Sequence, residues 1–207
     1  MTFAALKEDI RQFHRTAPTV TPFMVRPIEN DQDHWDDWWR TLLLDRQPGI
    51  DVAINLPAPL HDTIRAVGWV LQDAHSPWWI ISGAAAALYG ARPIQVSDVD
   101  VMISVEDARR LFPRIGLEQA VPAPHPRFRS EIFGRWQSCP LVVEFMANFE
   151  LRYLDGMWRP MIPQTRRMIM LDDTMIFLPE LAELKDMFTR FGRPKDQERN
   201  ALLSQCG

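Results

Sequence analysis

Cysteine is scarce: Cys139 and Cys206 are the two in 207 residues. Their spacing suits neither a disulfide framework nor a cysteine-rich metal site, which argues against a disulfide-stapled module and a structural zinc centre. Long apolar runs are also missing. None approaches the roughly 20 residues that a membrane helix needs. Near the N-terminus, Lys7, Glu8 and Asp9 stand where a signal peptide would need an apolar core. The expectation is a cytoplasmic, reduced protein with no membrane contact. Repeats and low-complexity tracts are lacking too. A net charge of −4 supplies no overall attraction to nucleic acid or anionic lipid.

What is present is ordinary in bulk and particular in detail. Apolar residues make up 46% and charged residues 24%, the balance of a globular protein. The length suits one domain with an extension. Arginines gather at 109, 110, 114, 127, 129 and 135, and basic side chains recur at 190, 193, 195 and 199. They are read as a solvated surface, or else as a locally basic groove.

Periodicity predicts helices over 1–16 and 31–44. The second carries Trp35, Trp38, Trp39, Leu42 and Leu43 on one face, a core or subunit-contact stripe. Pro57 and Pro59 are expected to keep the next stretch extended. Further helices are predicted over 61–74, 84–89, 105–115, 179–191 and 194–203, with Pro179 in a first helical turn. Strands are predicted over 78–82, 99–104, 128–136 and 141–146. A hairpin is predicted from 168–171 and 175–178 around Asp172-Asp173, and a proline-rich loop at 121–126. The expected class is α/β (α+β): a small mixed sheet flanked by helices. Residues 1–58 form an N-terminal helical extension packed on a core at 59–150, and 151–207 complete the same domain with a hairpin and helices. The Trp-rich extension is a candidate contact for a homodimer or a protein partner.

The chemistry concentrates between residues 79 and 101. A buried strand meets Gly83, a short small-residue helix follows, and a second strand carries Asp98 and Asp100. Residues i and i+2 of a strand share a face, so the two carboxylates project together. Side by side they repel, and a divalent cation relieves that. Leu141-Val142-Val143-Glu144-Phe145-Met146 is apolar but for one acid. Beside the first strand, Glu144 completes a three-carboxylate cluster able to hold two magnesium ions against nucleotide phosphates. Backbone N–H groups at Gly83 can approach a phosphate because no side chain intervenes.

These residues also carry a resemblance. Ile81-Ser82-Gly83-Ala84-Ala85-Ala86-Ala87-Leu88-Tyr89-Gly90, then Arg92, then Ser97-Asp98-Val99-Asp100, resembles the nucleotidyltransferase superfamily that shares the DNA polymerase β palm. Within it the likeness is to the AbiEii-type, minimal and lincosamide or aminoglycoside nucleotidyltransferases. Leu178-Pro179-Glu180-Leu181-Ala182-Glu183-Leu184-Lys185 and Arg193-Pro194-Lys195-Asp196 resemble the closing helices of that family.

The resemblance implies a magnesium-dependent enzyme moving a nucleoside monophosphate from a nucleoside triphosphate such as ATP to a hydroxyl. The acceptor would be a small molecule such as an antibiotic, a tRNA 3′ end, or a protein side chain. Asp98 and Asp100 would hold metal and nucleotide, and Glu144 would activate the acceptor. Gly83, Ala84 and Arg92 would contact phosphate. Lys185 and Lys195 would either do the same or serve as a surface charge or a structural ion pair with Asp196. Ala84 stands where the family usually has Gly or Ser. The alternative is an inactive nucleotide-binding or interaction module of the same fold. A role as the toxin of a toxin–antitoxin pair is compatible with the transferase chemistry.

Overall fold

The structure is a computed structural model and describes residues 56–120 and 124–206. The helices predicted over 1–16 and 31–44 lie outside the described residues, as does the 121–123 part of the proline-rich loop. The described residues all belong to one compact unit.

Helix α1 (Ala58–Leu71) begins three residues before its predicted start, with Pro59 in its first turn. Pro57 precedes the helix, but Pro59 does not hold the chain extended. A proline in the first turn loses nothing, because its missing N–H would be unpaired there. Ile64, Val67, Val70 and Leu71 face inward as the periodicity required.

Four strands form the central sheet: β1 (Trp79–Ile81), β2 (Asp98–Ile103), β4 (Ile132–Trp136) and β5 (Val142–Ala147). Their order is β1-β2-β5-β4; the β2–β5 pair is parallel and the outer pairs are antiparallel. Between β1 and β2 runs helix α2 (Ser82–Leu88), buried throughout. Its run of alanines lets it lie close against the sheet.

Helix α3 (Val105–Leu111) stops short of its predicted end. Pro113 lacks the N–H to continue it, and a 3-10 turn (Pro113–Ile115) closes at Gly116 with φ 64°. Asp107, 1% exposed, accepts the backbone N–H groups of His75 and Ser76, both at 2.9 Å. That anchors the α1–β1 connection to α3.

The single strand predicted over 128–136 is two. Strand β3 (Phe128–Arg129) turns away from β4 and joins β6 (Glu150–Arg152) and β7 (Trp158–Pro160) in a separate sheet, order β3-β6-β7. Pro160 therefore ends an edge strand, where its missing donor costs no ladder bond. The predicted hairpin is present as β8 (Arg167–Leu171) and β9 (Thr174–Leu178), with Asp172 at φ 54° in the two-residue loop.

Pro179 lies outside the following helix. Helix α4 (Leu181–Phe191) starts two residues later, and the Pro179 carbonyl instead accepts the Tyr89 hydroxyl at 2.7 Å. Helix α5 (Pro194–Leu203) opens on Pro194 as predicted. No helix among the described residues is long and apolar enough to cross a membrane.

Candidate active site

Strand β2 buries Val99 and Val101 completely, and Asp98 and Asp100 therefore share the opposite face. In the parallel register with β5, Asp100 is the direct partner of Glu144. Val143 and Phe145 sink into the core on either side of Glu144. Three carboxylates thus occupy neighbouring positions on one face of two adjacent central strands.

The electrostatics follow from that crowding. Burial, then the charges of Asp98 and Glu144, push the Asp100 carboxyl up to about 6, against a hydrogen bond from the Ser82 hydroxyl and the Arg193 charge. Burial and Asp98 also raise Glu144, opposed by Arg135 and Lys195. Arg135, the cross-strand partner of Glu144 on β4, sets its Nε 3.1 Å from Glu144 Oε1. Among the described residues, no three His, Cys, Asp or Glu side chains already converge around one point fit for a metal ion. The carboxylates are neighbours in register rather than a preformed cage.

The turn into α2 differs from its predicted form. Ile81 is extended, and Ser82, not Gly83, reverses the chain with φ 59°. A left-handed backbone favours glycine. The left-handed residue of this turn is therefore Ser82, and Ala84 is buried at 1% exposure. Gly83 sits inside the first helical turn. A Cβ there would come within 2.8 Å of Arg199 Nη2 and 3.1 Å of its Cζ. Arg199 fills the space that the absent side chain leaves, and its Nη1 donates to Ser82 Oγ at 3.1 Å. A chain of contacts thus runs from α5 through Ser82 to Asp100.

Arg193, at the head of α5, is the second cation that sequence reasoning left in a general basic cluster. It holds the fully buried Asp196 through Nε at 2.6 Å and Nη2 at 2.9 Å. It lines, with Ser82, Asp100, Arg135 and Glu144, a cavity of about 630 Å³. Asp196 thereby pairs with an arginine, not with Lys185 or Lys195. The Asp196 partner of Arg193 is local, three residues on, but the approach of Arg193 to Asp100 and of Arg199 to Ser82 has no local signal, because those residues lie far from α5 in sequence.

Not every expected residue reaches this cavity. Lys195 is exposed on α5, and its charge acts on Glu144. Lys185, half-buried on α4, does not line it. Arg92 lines a separate cavity with Leu60, Pro93 and Leu141. Most of the clustered arginines are paired: Arg109 with Glu131, Arg110 with Asp107, Arg114 with Asp73, Arg129 with Glu150. Arg127 instead donates to the Phe191 and Arg190 carbonyls. Among the described residues, these pairings leave no continuous free basic groove.

A Thermotoga maritima protein classed as a nucleotidyltransferase matches with a TM-score of 0.54 at 19% identity, covering 66% of this chain and 86% of its own. The chain has that nucleotidyltransferase fold. A nucleotidyltransferase-like protein of Paracoccidioides brasiliensis aligns at 14% identity, 72% and 75% coverage and a TM-score of 0.45. A lincosamide antibiotic adenylyltransferase aligns at 9% identity, 63% and 87% coverage and a TM-score of 0.43. No protein-family model matches the chain, and no curated protein matches it.

Proposed function

We propose that the protein is a magnesium-dependent nucleotidyltransferase that moves a nucleoside monophosphate from a nucleoside triphosphate to a hydroxyl. The observation that carries this reading is the register of Asp100 against Glu144 with Asp98 on the same face. The donor set is all oxygen, which suits a hard divalent cation. The charge crowding that raises Asp100 is what such a cation would relieve. When bound, magnesium supplies positive charge that neutralises the triphosphate.

The chain's own residues have distinct tasks in this scheme. Asp98 and Asp100 would hold the metal and, through it, the nucleotide. Ser82 keeps Asp100 oriented through its hydroxyl, and Arg199 keeps Ser82 in place. Glu144 accepts the proton of the acceptor hydroxyl. Its raised pKa makes it a better base, and Arg135 limits its motion. Transfer of this kind needs little covalent chemistry from the protein, because positioning and charge neutralisation lower most of the barrier.

The ion pair between Arg135 and Glu144 also favours a second reading, a nucleotide-binding module without turnover. The test for both is incubation with Mg2+, each α-labelled nucleoside triphosphate and a panel of hydroxyl acceptors. Pyrophosphate release that Glu144→Gln abolishes supports the transferase. Thermal stabilisation by Mg2+ and nucleotide with no pyrophosphate release supports the binding module.

A further inference from the structure

We infer that Arg135 is a releasable counter-cation, which competes with the divalent metal for Glu144 and latches that carboxylate until the metal arrives. The inference rests on the transferase reading above and its three-carboxylate cluster. Among the described residues, the three acids differ in what holds them. Asp98 accepts the Ser97 hydroxyl at 3.3 Å, and Asp100 accepts the Ser82 hydroxyl, both neutral donors. Glu144 is the one in an ion pair, with Arg135 Nε 3.1 Å from its Oε1.

Strand register builds this pair. Arg135 and Glu144 stand directly opposite across the antiparallel β4–β5 ladder, so their side chains rise from the same face. Gly134 and Trp136, the neighbours of Arg135, are buried on the other face. The Arg135 side chain is 51% exposed, and its guanidinium can return to water with little desolvation. The other cations near the acids are differently engaged. Arg193 is bound to Asp196 through Nε and Nη2, and Arg199 to Ser82 through Nη1. Lys195 acts on Glu144 through its charge, with no ion pair between them.

The competition is electrostatic. A guanidinium is a delocalised single charge, whereas a magnesium-type cation is compact, doubly charged and suited to carboxylate oxygen. A metal on either oxygen of Glu144 would share one carboxyl with Arg135, and two cations at that range repel. Metal binding therefore has to overcome the attraction between Arg135 and Glu144. Before the metal arrives, the same attraction offsets the repulsion that Asp98 exerts on Glu144. A half-exposed ion pair holds weakly, which makes the latch easy to open.

The test titrates Mn2+, a hard dication whose free form is read by electron paramagnetic resonance, into the full chain. Arg135→Gln should bind Mn2+ about fivefold more tightly than wild type, and Arg135→Lys should return toward wild type. Lys195→Gln removes an equal charge without breaking an ion pair and should give a smaller gain. In a Glu144→Gln background, Arg135→Gln should gain no more than Lys195→Gln does. Melting temperatures in EDTA check that each variant folds, and Arg135→Met replaces Arg135→Gln if that one does not. Unchanged or weaker binding in Arg135→Gln, an equal gain in Lys195→Gln, or a full gain that survives Glu144→Gln overturns the inference. Asp98→Asn is read in the same series. No saturable Mn2+ binding, or binding indifferent to Asp98→Asn, defeats the metal site of the transferase reading itself. Binding that needs Asp98 but ignores Arg135 defeats this inference alone.

Discussion

At Ser82 the backbone adopts φ 59°, and the hydroxyl there both accepts from Arg199 and donates to Asp100. The strain and the hydrogen bonds can be separated. Ser82→Ala and Ser82→Gly lose the same hydroxyl, but only glycine relaxes the left-handed turn. Urea denaturation should find the glycine variant about 1 kcal/mol more stable than the alanine variant. Equal stabilities would mean that the turn is not strained.

Asp100 makes a second residue-level prediction. Its folded pKa of about 6 exceeds its ordinary 3.8, so folding favours the protonated carboxyl. That contribution is complete below the ordinary value and is lost as pH rises through about 6. In EDTA, Asp100→Asn should therefore raise stability above pH 7 by on the order of 1–2 kcal/mol relative to wild type, and the gain should vanish near pH 4. Thermal melts across that range provide the check, and a variant less stable than wild type at pH 8 would contradict the account. The paired acids themselves were legible, because a period of two between buried valines fixes their common face. The place of Arg193 and Arg199 beside Asp100 and Ser82 was not, since only folding brings α5 to those elements.

Among the elements, long periodic segments and strands bounded by turn residues were readable. Helix α1, β2, β5, the β8–β9 hairpin and α5 all form from patterns that local physics determines. Strands β6 and β7, of three residues each, show no alternation long enough to detect. The obvious turn-former Gly83 concealed that Ser82 makes the turn. The pairing of β2 with β5 is likewise a tertiary fact, although both strands were visible singly. One contact at this scale is sharply testable. A Cβ on Gly68 of α1 would fall 2.4 Å from Thr174 Cγ2 and 2.6 Å from Ile176 Cδ1 of β9. Gly68→Ala gains helix propensity but must push the hairpin away, and the overpacking should dominate by about 2 kcal/mol of lost stability. Chemical denaturation measures it, and a stabilised variant would show that the hairpin does not lie so close.

For the whole molecule, the net charge of −4 and the pairing of most of the arginines leave no broad basic face among the described residues. Most of these cations fix acids, while Asp98 and Asp100 on β2 lie beside Glu144 on β5. The fold class followed from the order of elements. The central claim is that these carboxylates form a metal-dependent nucleotide site. Calorimetric titration of α,β-methylene-ATP into the full chain, with Mg2+ and with EDTA, tests it most directly. The account predicts saturable binding with Mg2+ that falls at least about tenfold in EDTA, and a comparable loss in Asp98→Asn with Mg2+. Binding of equal strength in all three samples would contradict it.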